Sequence, residues 1–135
     1  MSKNVAYCLY VKTISVIRIS AMADAKIFDF ENMIAQACTT TRNLVYHFYD
    51  IKPKNEEARF TALLLHGHGD LSFGWRNVIP TLQAHGIRCI VPDLLGFGNS
   101  SKPLQKEAYR MKLMAQDMLE LLRSAGVDDH EKVRR

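Results

Sequence analysis

Residues 63–70 read LLLHGHGD, three leucines running into two histidines, each followed by glycine, and then an aspartate. The apolar run begins earlier, as FTALLLH over residues 60–66, and it has a counterpart in IRCIVPD over residues 87–93. Continuous apolar runs, rather than alternating ones, suit strands buried on both faces, as in a parallel sheet covered by helices. Gly67 ends the first run and lets the chain turn sharply, because no Cβ stands in the way. Upstream, NLVYHFYDI over residues 43–51 sets Leu44, Tyr46 and Phe48 against Val45, His47 and Tyr49, and reads as a strand. A polar turn with Pro53 follows it. Downstream, SFGWRNVIPTLQAHG over residues 72–86 is helical in part. Trp75, Val78 or Ile79, and Leu82 recur at helical spacing, Pro80 is expected to bend or restart the helix, and Gly86 to stop it. A glycine-rich loop, DLLGFGNSSKP, leads from Asp93 into the clearest helix, KEAYRMKLMAQDMLELLRSAG over residues 106–126. Its stripe is Met111, Met114, Met118, Leu121 or Leu122, and Ala125, with Gly126 as its end. A short helix is also read around Phe30–Ala37. Strand, strand, helix, strand, helix is the opening of an α/β sheet, expected to be mostly parallel with flanking helices.

Length and composition bound the function. The 135 residues suffice for one domain, and 47% hydrophobic with 24% charged residues is ordinary for a globular protein. The net charge of +4 is unevenly placed: residues 1–23 hold Lys3, Lys12 and Arg18 and no acid, and the remainder is close to neutral. The body therefore offers no basic face for nucleic acid. Cys8, Cys38 and Cys89 are too scattered for a disulfide framework or a CxxC site, which points to a reducing compartment such as the cytoplasm. No apolar run reaches the roughly 18 residues of a membrane span. Residues 1–23 carry scattered Lys, Arg and Ser, with a faint likeness to an organelle presequence. MADAKIFDF resembles an ordinary protein start at Met22, so residues 1–23 are read as an extension without fixed structure and residues 24–135 as the folded part.

Two chemistries compete for the turn at Gly67. His66, His68 and Asp70 have the H-x-H-x-D spacing of metal-dependent hydrolases of the metallo-β-lactamase kind, and imidazoles two apart on an extended chain face one side. His47, His85 and His130 add no ligand-like cluster, and Leu71 stands where that pattern wants another histidine. No metal and no cofactor are therefore expected. The other chemistry is a backbone N–H after the glycine, aimed at a developing oxyanion.

In its ordered motifs, residues 43–133 resemble the epoxide-hydrolase branch of the α/β-hydrolase family. LLLHGHGDLSFGWRNVIPTL is similar to that family's strand, HGxP turn, aspartate, Trp-Arg pair and helix, and IRCIVPDLLGFGNSSKP to its next strand and PDxxGxGxS loop. The resemblance implies an oxyanion-hole loop at His66, Gly67 and His68, with Gly69 in place of the usual proline. It implies loop-ordering positions at Asp70, Asp93, Gly96 and Gly98, and helix-opening, packing positions at Trp75 and Arg76. The family reaction implied is epoxide hydrolysis through an Asp ester intermediate. Its nucleophile elbow, a G-x-D-x-G or G-x-S-x-G segment, does not occur in the sequence, and no catalytic residue is identifiable. The expectation is an incomplete α/β-hydrolase fold, ending before its catalytic residues and inactive alone, whose complete domain takes a small-molecule substrate. In that family the FTALLLH strand lies between the IRCIVPD strand and the nucleophile strand. Here an open edge, and self-association through it, are expected. The rivals are a metal-dependent hydrolase at His66, His68 and Asp70, a non-enzymatic binding fragment, and a gene-model artefact.

Overall fold

The computed structural model describes residues 8–10, 26–54, 57, 58 and 60–127. Among the described residues five strands form one sheet in the order β1-β4-β5-β3-β2: β1 (Cys8–Tyr10), β2 (Gln36–Thr39), β3 (Val45–Ile51), β4 (Phe60–Leu64) and β5 (Ile87–Pro92). Two helices flank it, α1 (Ile79–Ala84) and α2 (Met111–Ser124), each preceded by one turn of 3-10 helix, at Ser72–Trp75 and Lys106–Tyr109. No helix among the described residues is long and apolar enough to cross a membrane.

The α/β class holds, but the sheet is mixed rather than mostly parallel. Only β4 and β5 are parallel, and β1–β4, β2–β3 and β3–β5 are antiparallel. Connection length explains this. A parallel pair needs a crossover, which α1 supplies between β4 and β5, whereas β2 and β3 are joined by a tight turn that can only make a hairpin. That turn closes through the Asn43 N–H donating to the Thr40 carbonyl at 2.9 Å, and Asn43 itself takes φ 60°.

β4 and β5 divide their side chains between two cores, as their unbroken apolar sequence requires. Ala62, Leu64, Ile87, Cys89 and Val91 face α1, Phe30 and Ile51, with Trp75 packed alongside. Leu63 and Ile90 face α2, together with Tyr46, Phe48, Leu95, Met118, Leu121 and Leu122. In β3 the alternation read from the sequence is kept, with Tyr46 and Phe48 on the α2 side and Tyr49 and Ile51 on the α1 side.

Local expectations are corrected in several places. The helix read around Phe30–Ala37 is absent. Asp29 instead caps a turn, its Oδ1 accepting the Glu31 N–H at 2.9 Å, and residues 36–39 pair with β3. Helix propensity in so short a segment yields to the ladder and to burial of Phe30. Pro80 does not interrupt a helix. It lies in the first turn of α1, where its missing N–H costs nothing. Met111, read as part of the apolar stripe, is 83% exposed because α2 begins at it, one turn outside the core. The end at Gly126 is a double-bonded cap: the Gly126 N–H donates to the Arg123 carbonyl and the Val127 N–H to the Leu122 carbonyl, both at 2.9 Å, with Gly126 at φ 73°.

The largest departure is at the sheet edge. β4 was expected to lie open, and residues 1–23 to lack structure. Instead Cys8, Leu9 and Tyr10 pair antiparallel with Leu64, Leu63 and Ala62. Unpaired N–H and C=O groups on a strand so deeply buried make the pairing favourable. The rest of residues 1–25, and residues 128–135, lie outside the described residues.

Candidate active site

Because β4 and β5 are parallel neighbours, the loops that leave them emerge side by side at one end of the sheet, the place where open α/β sheets bind ligands. The first loop turns at Gly67–Asp70. The Asp70 N–H donates to the Gly67 carbonyl at 3.2 Å, and Gly69, third in the turn, takes φ 77°. This conformation is closed to proline, whose ring fixes φ near −65°. Gly69 therefore makes a different turn from the one a proline there would hold. His68 is exposed at its tip, and its N–H donates to no acceptor among the described residues. The Asp70 carboxylate accepts the Leu71 N–H at 2.8 Å and lies over Gly74, where a Cβ would come within 2.5 Å of it.

The second loop is built from two consecutive turns. The Phe97 N–H donates to the Leu94 carbonyl at 3.0 Å and the Ser100 N–H to the Phe97 carbonyl at 3.1 Å, with Gly96 at φ 89° and Gly98 at φ 53°. Gly96 leaves room for Tyr109, whose Cε1 would lie 3.0 Å from a Cβ.

The loops clasp each other reciprocally. The Leu94 N–H donates to His66 Nε2 at 2.8 Å, and the Ser72 N–H donates to Asp93 Oδ1 at 2.9 Å. An N–H can only donate, so Nε2 must present its lone pair. The ring proton is then on Nδ1, which donates to the Gly67 carbonyl at 2.9 Å. His66 is thus the neutral tautomer, buried, with both nitrogens engaged. Ser100 extends the network to β3: its hydroxyl donates to the Asp93 carbonyl at 2.6 Å and accepts the His47 N–H at 2.9 Å. The Asp93 N–H also donates to the His47 carbonyl at 2.9 Å. Phe97 is met edge-on by both His66 and His68, with ring centroids 5.3 Å and 5.7 Å apart.

Trp75 and Arg76 open toward α1. Trp75 packs against the α1-side core with its indole N–H buried and unpaired among the described residues. Arg76 lies 4.4 Å over the Phe73 ring.

The structure therefore brings His66, Gly67, His68, Asp93, Gly96 and Gly98 to one end of the sheet, with Asp70 at the rim. It does not gather metal donors. His66 has no free nitrogen, and no group of three or more His, Cys, Asp or Glu among the described residues could hold an ion. Neither His66 nor His68 is hydrogen-bonded to a hydroxyl or carboxylate, so no nucleophile–base pair is assembled between them. Sequence reasoning missed Ser72, Leu94 and Ser100. Their contributions are backbone N–H groups and a bridging hydroxyl, and the one available signal was a small polar residue at each loop's end.

Known proteins carry the same framework. The α/β-hydrolase fold family matches residues 63–129, from the middle of β4 past the end of α2. An epoxide hydrolase of Neurospora crassa is 40% identical over 89 residues, which is 62% of this chain and 25% of the relative. A haloalkane dehalogenase of Mycobacterium marinum is 40% identical over 73 residues, 54% of this chain and 24% of the relative. The crystal structure of an epoxide hydrolase from Vigna radiata superposes with a TM-score of 0.62 at 26% identity, over 73% of this chain and 30% of that one. The chain thus spans about a quarter of the length of these curated relatives. With both loops and α2 inside the matched span, the chain has a partial α/β-hydrolase fold and is similar to the epoxide-hydrolase-like members of that family.

Proposed function

We propose that residues 24–135 are the N-terminal part of an epoxide-hydrolase-like domain and furnish the oxyanion-side wall of its active site. The carrying observation is the unengaged His68 N–H at the tip of a turn that the His66–Leu94 and Asp93–Ser72 bonds hold in place. A donor fixed before reaction is worth most where negative charge develops, here on the oxygen of an ester intermediate attacked by water. In this reading Asp93, Gly96 and Gly98 order the second loop, Asp70 orders the first, and the substrate is a small epoxide. The carboxylate nucleophile and the histidine that activates water belong to motifs absent from this sequence, so the chain alone does not turn over. A reducing, cytoplasmic setting suits the buried thiol of Cys38.

The test grafts residues 63–127 onto the rest of the Vigna radiata epoxide hydrolase and measures epoxide opening. His68→Pro, which deletes the N–H, is expected to lower kcat by about 10²–10³-fold. His68→Ala, which keeps it, should change kcat only a few fold. Equal rates for both variants in a folded graft would remove the N–H from the reaction. The ungrafted chain is expected to hydrolyse neither epoxides nor p-nitrophenyl esters above buffer.

A further inference from the structure

The described sheet has two edges, and they differ in character. The β2 edge is polar and short: Gln36 and Thr39 are exposed, and only Cys38 is buried. Next to the other edge, β4 is buried on both faces, with Ala62 0%, Leu63 5% and Leu64 1% exposed. It has neither a charged residue nor a proline to guard it. A strand of that kind templates pairing with another chain unless something covers it. Among the described residues the cover comes from the chain itself: Cys8, Leu9 and Tyr10, in antiparallel register with Leu64, Leu63 and Ala62. The covering sequence, CLY, has the apolar and aromatic character that favours extended pairing.

We propose that β1 is a built-in edge cap, and that its backbone pairing with β4 keeps two copies of the chain from joining through that strand. The occupant of the edge is residues 8–10. When they are displaced, a second copy takes their place, because the freed N–H and C=O groups of β4 seek a partner and its apolar faces exclude water as one. The inference concerns this chain by itself, since in the complete domain of the proposed function the nucleophile strand would hold the same edge. Its test reads association and amide exchange, not hydrolysis, so the two readings fail separately.

Consecutive N–H groups on a strand point to opposite edges, so of Leu9 and Tyr10 only one directs its N–H at β4. The experiment compares the full chain with Leu9→Pro and with Tyr10→Pro. Light scattering gives the mass, and amide exchange is read at Ala62–Leu64. The full chain is expected to be a monomer with protected amides in that segment. The variant that deletes the inward N–H should lose roughly tenfold or more in protection there and shift to dimers or larger species. The variant that deletes the outward N–H should stay nearer the parent. A peptide of residues 5–13, added in excess to the associated variant, should return it to monomer. A full chain that already self-associates, with Ala62–Leu64 exchanging as an open edge, overturns the proposal. So do two proline variants that both remain monomeric with parental protection. If a variant loses its α2 circular-dichroism signal, the mass and exchange of a chain beginning at Met22 decide in its place, with association expected and a protected monomer refuting the cap.

Discussion

At the scale of single residues, the second loop shows how a glycine and an aspartate share one space. A Cβ on Gly98 would run into the Asp93 carboxylate, and Gly98 has φ 53° as well. Gly98→Ala is therefore expected to destabilise the fold by about 1–3 kcal/mol, in urea titrations followed by circular dichroism. At Gly67 a Cβ would meet nothing within 4 Å, and φ is not positive, so Gly67→Ala should fall within about 0.5 kcal/mol of the parent. A second residue-scale expectation concerns Tyr46, which is fully buried and donates its hydroxyl to Asp117 Oδ2 at 2.7 Å. Burial first, and then that hydrogen bond, push its phenol well above the ordinary value. The folded state thus holds this proton more tightly than the unfolded chain does. Its contribution is complete below the unfolded value of about 10 and is lost as pH rises above it toward the folded value. Stability should decline with pH above about 10, and Tyr46→Phe should remove part of that slope.

At the scale of elements, α2 is held to the β2–β3 hairpin by a polar pin. Asp117, fully buried, accepts Arg42 through both carboxylate oxygens, with Nε at 2.9 Å from Oδ1, as well as the Tyr46 hydroxyl. One turn along, Glu120 accepts the Thr41 N–H and hydroxyl, each at 2.7 Å. The hydrogen bond to Asp117, ahead of the opposing cost of burial, raises the Arg42 pKa, so the guanidinium stays charged throughout the accessible pH range. Removing one partner of such a pair leaves the other's charge unmatched. Asp117→Ala is expected to cost about 3–5 kcal/mol in denaturant unfolding, more than Glu120→Ala, whose partners reach solvent.

At the scale of the whole molecule, the sheet joins two cores that share β4 and β5. Trp75, the lone tryptophan, reports on the α1 side, and the helical signal is dominated by α2 on the other. Alternate residues of the same strands build both cores, so neither should melt alone. Leu121→Ala, a fully buried truncation on the α2 side, is expected to lower stability by about 2–5 kcal/mol. Tryptophan fluorescence and far-ultraviolet circular dichroism should still report one coincident transition. Separate midpoints would mean that the two faces are independent units. Arg88 supports the coupling: it pairs with Asp50 on β3 through two bonds, at 2.8 Å and 2.7 Å, and donates to the Ala125 carbonyl at the end of α2.

The sequence by itself determined what depends on near neighbours. Unbroken apolar runs marked β4 and β5 as strands with two buried faces, since no other pattern satisfies a sheet covered on both sides. Alternation marked β3, and the spacing of Met114, Met118 and Leu121 marked α2, ended by Gly126. The order HG, then PD and two glycines, carried the resemblance that pointed to the two loops leaving β4 and β5. Tertiary structure alone decided what depends on partners distant in the chain. Pairing with β3 made residues 36–39 a strand against their local leaning to helix. The mixed sense of the sheet followed from which strands met. The protonated nitrogen of His66 was fixed by a backbone N–H that lies 28 residues away in the chain. Pairing with β4 likewise ordered residues 8–10, because a strand buried on both faces leaves its edge groups no water to bond. Local pattern fixes which face of a segment is apolar, but the choice among the segments that can cover it is made only when the chain is folded.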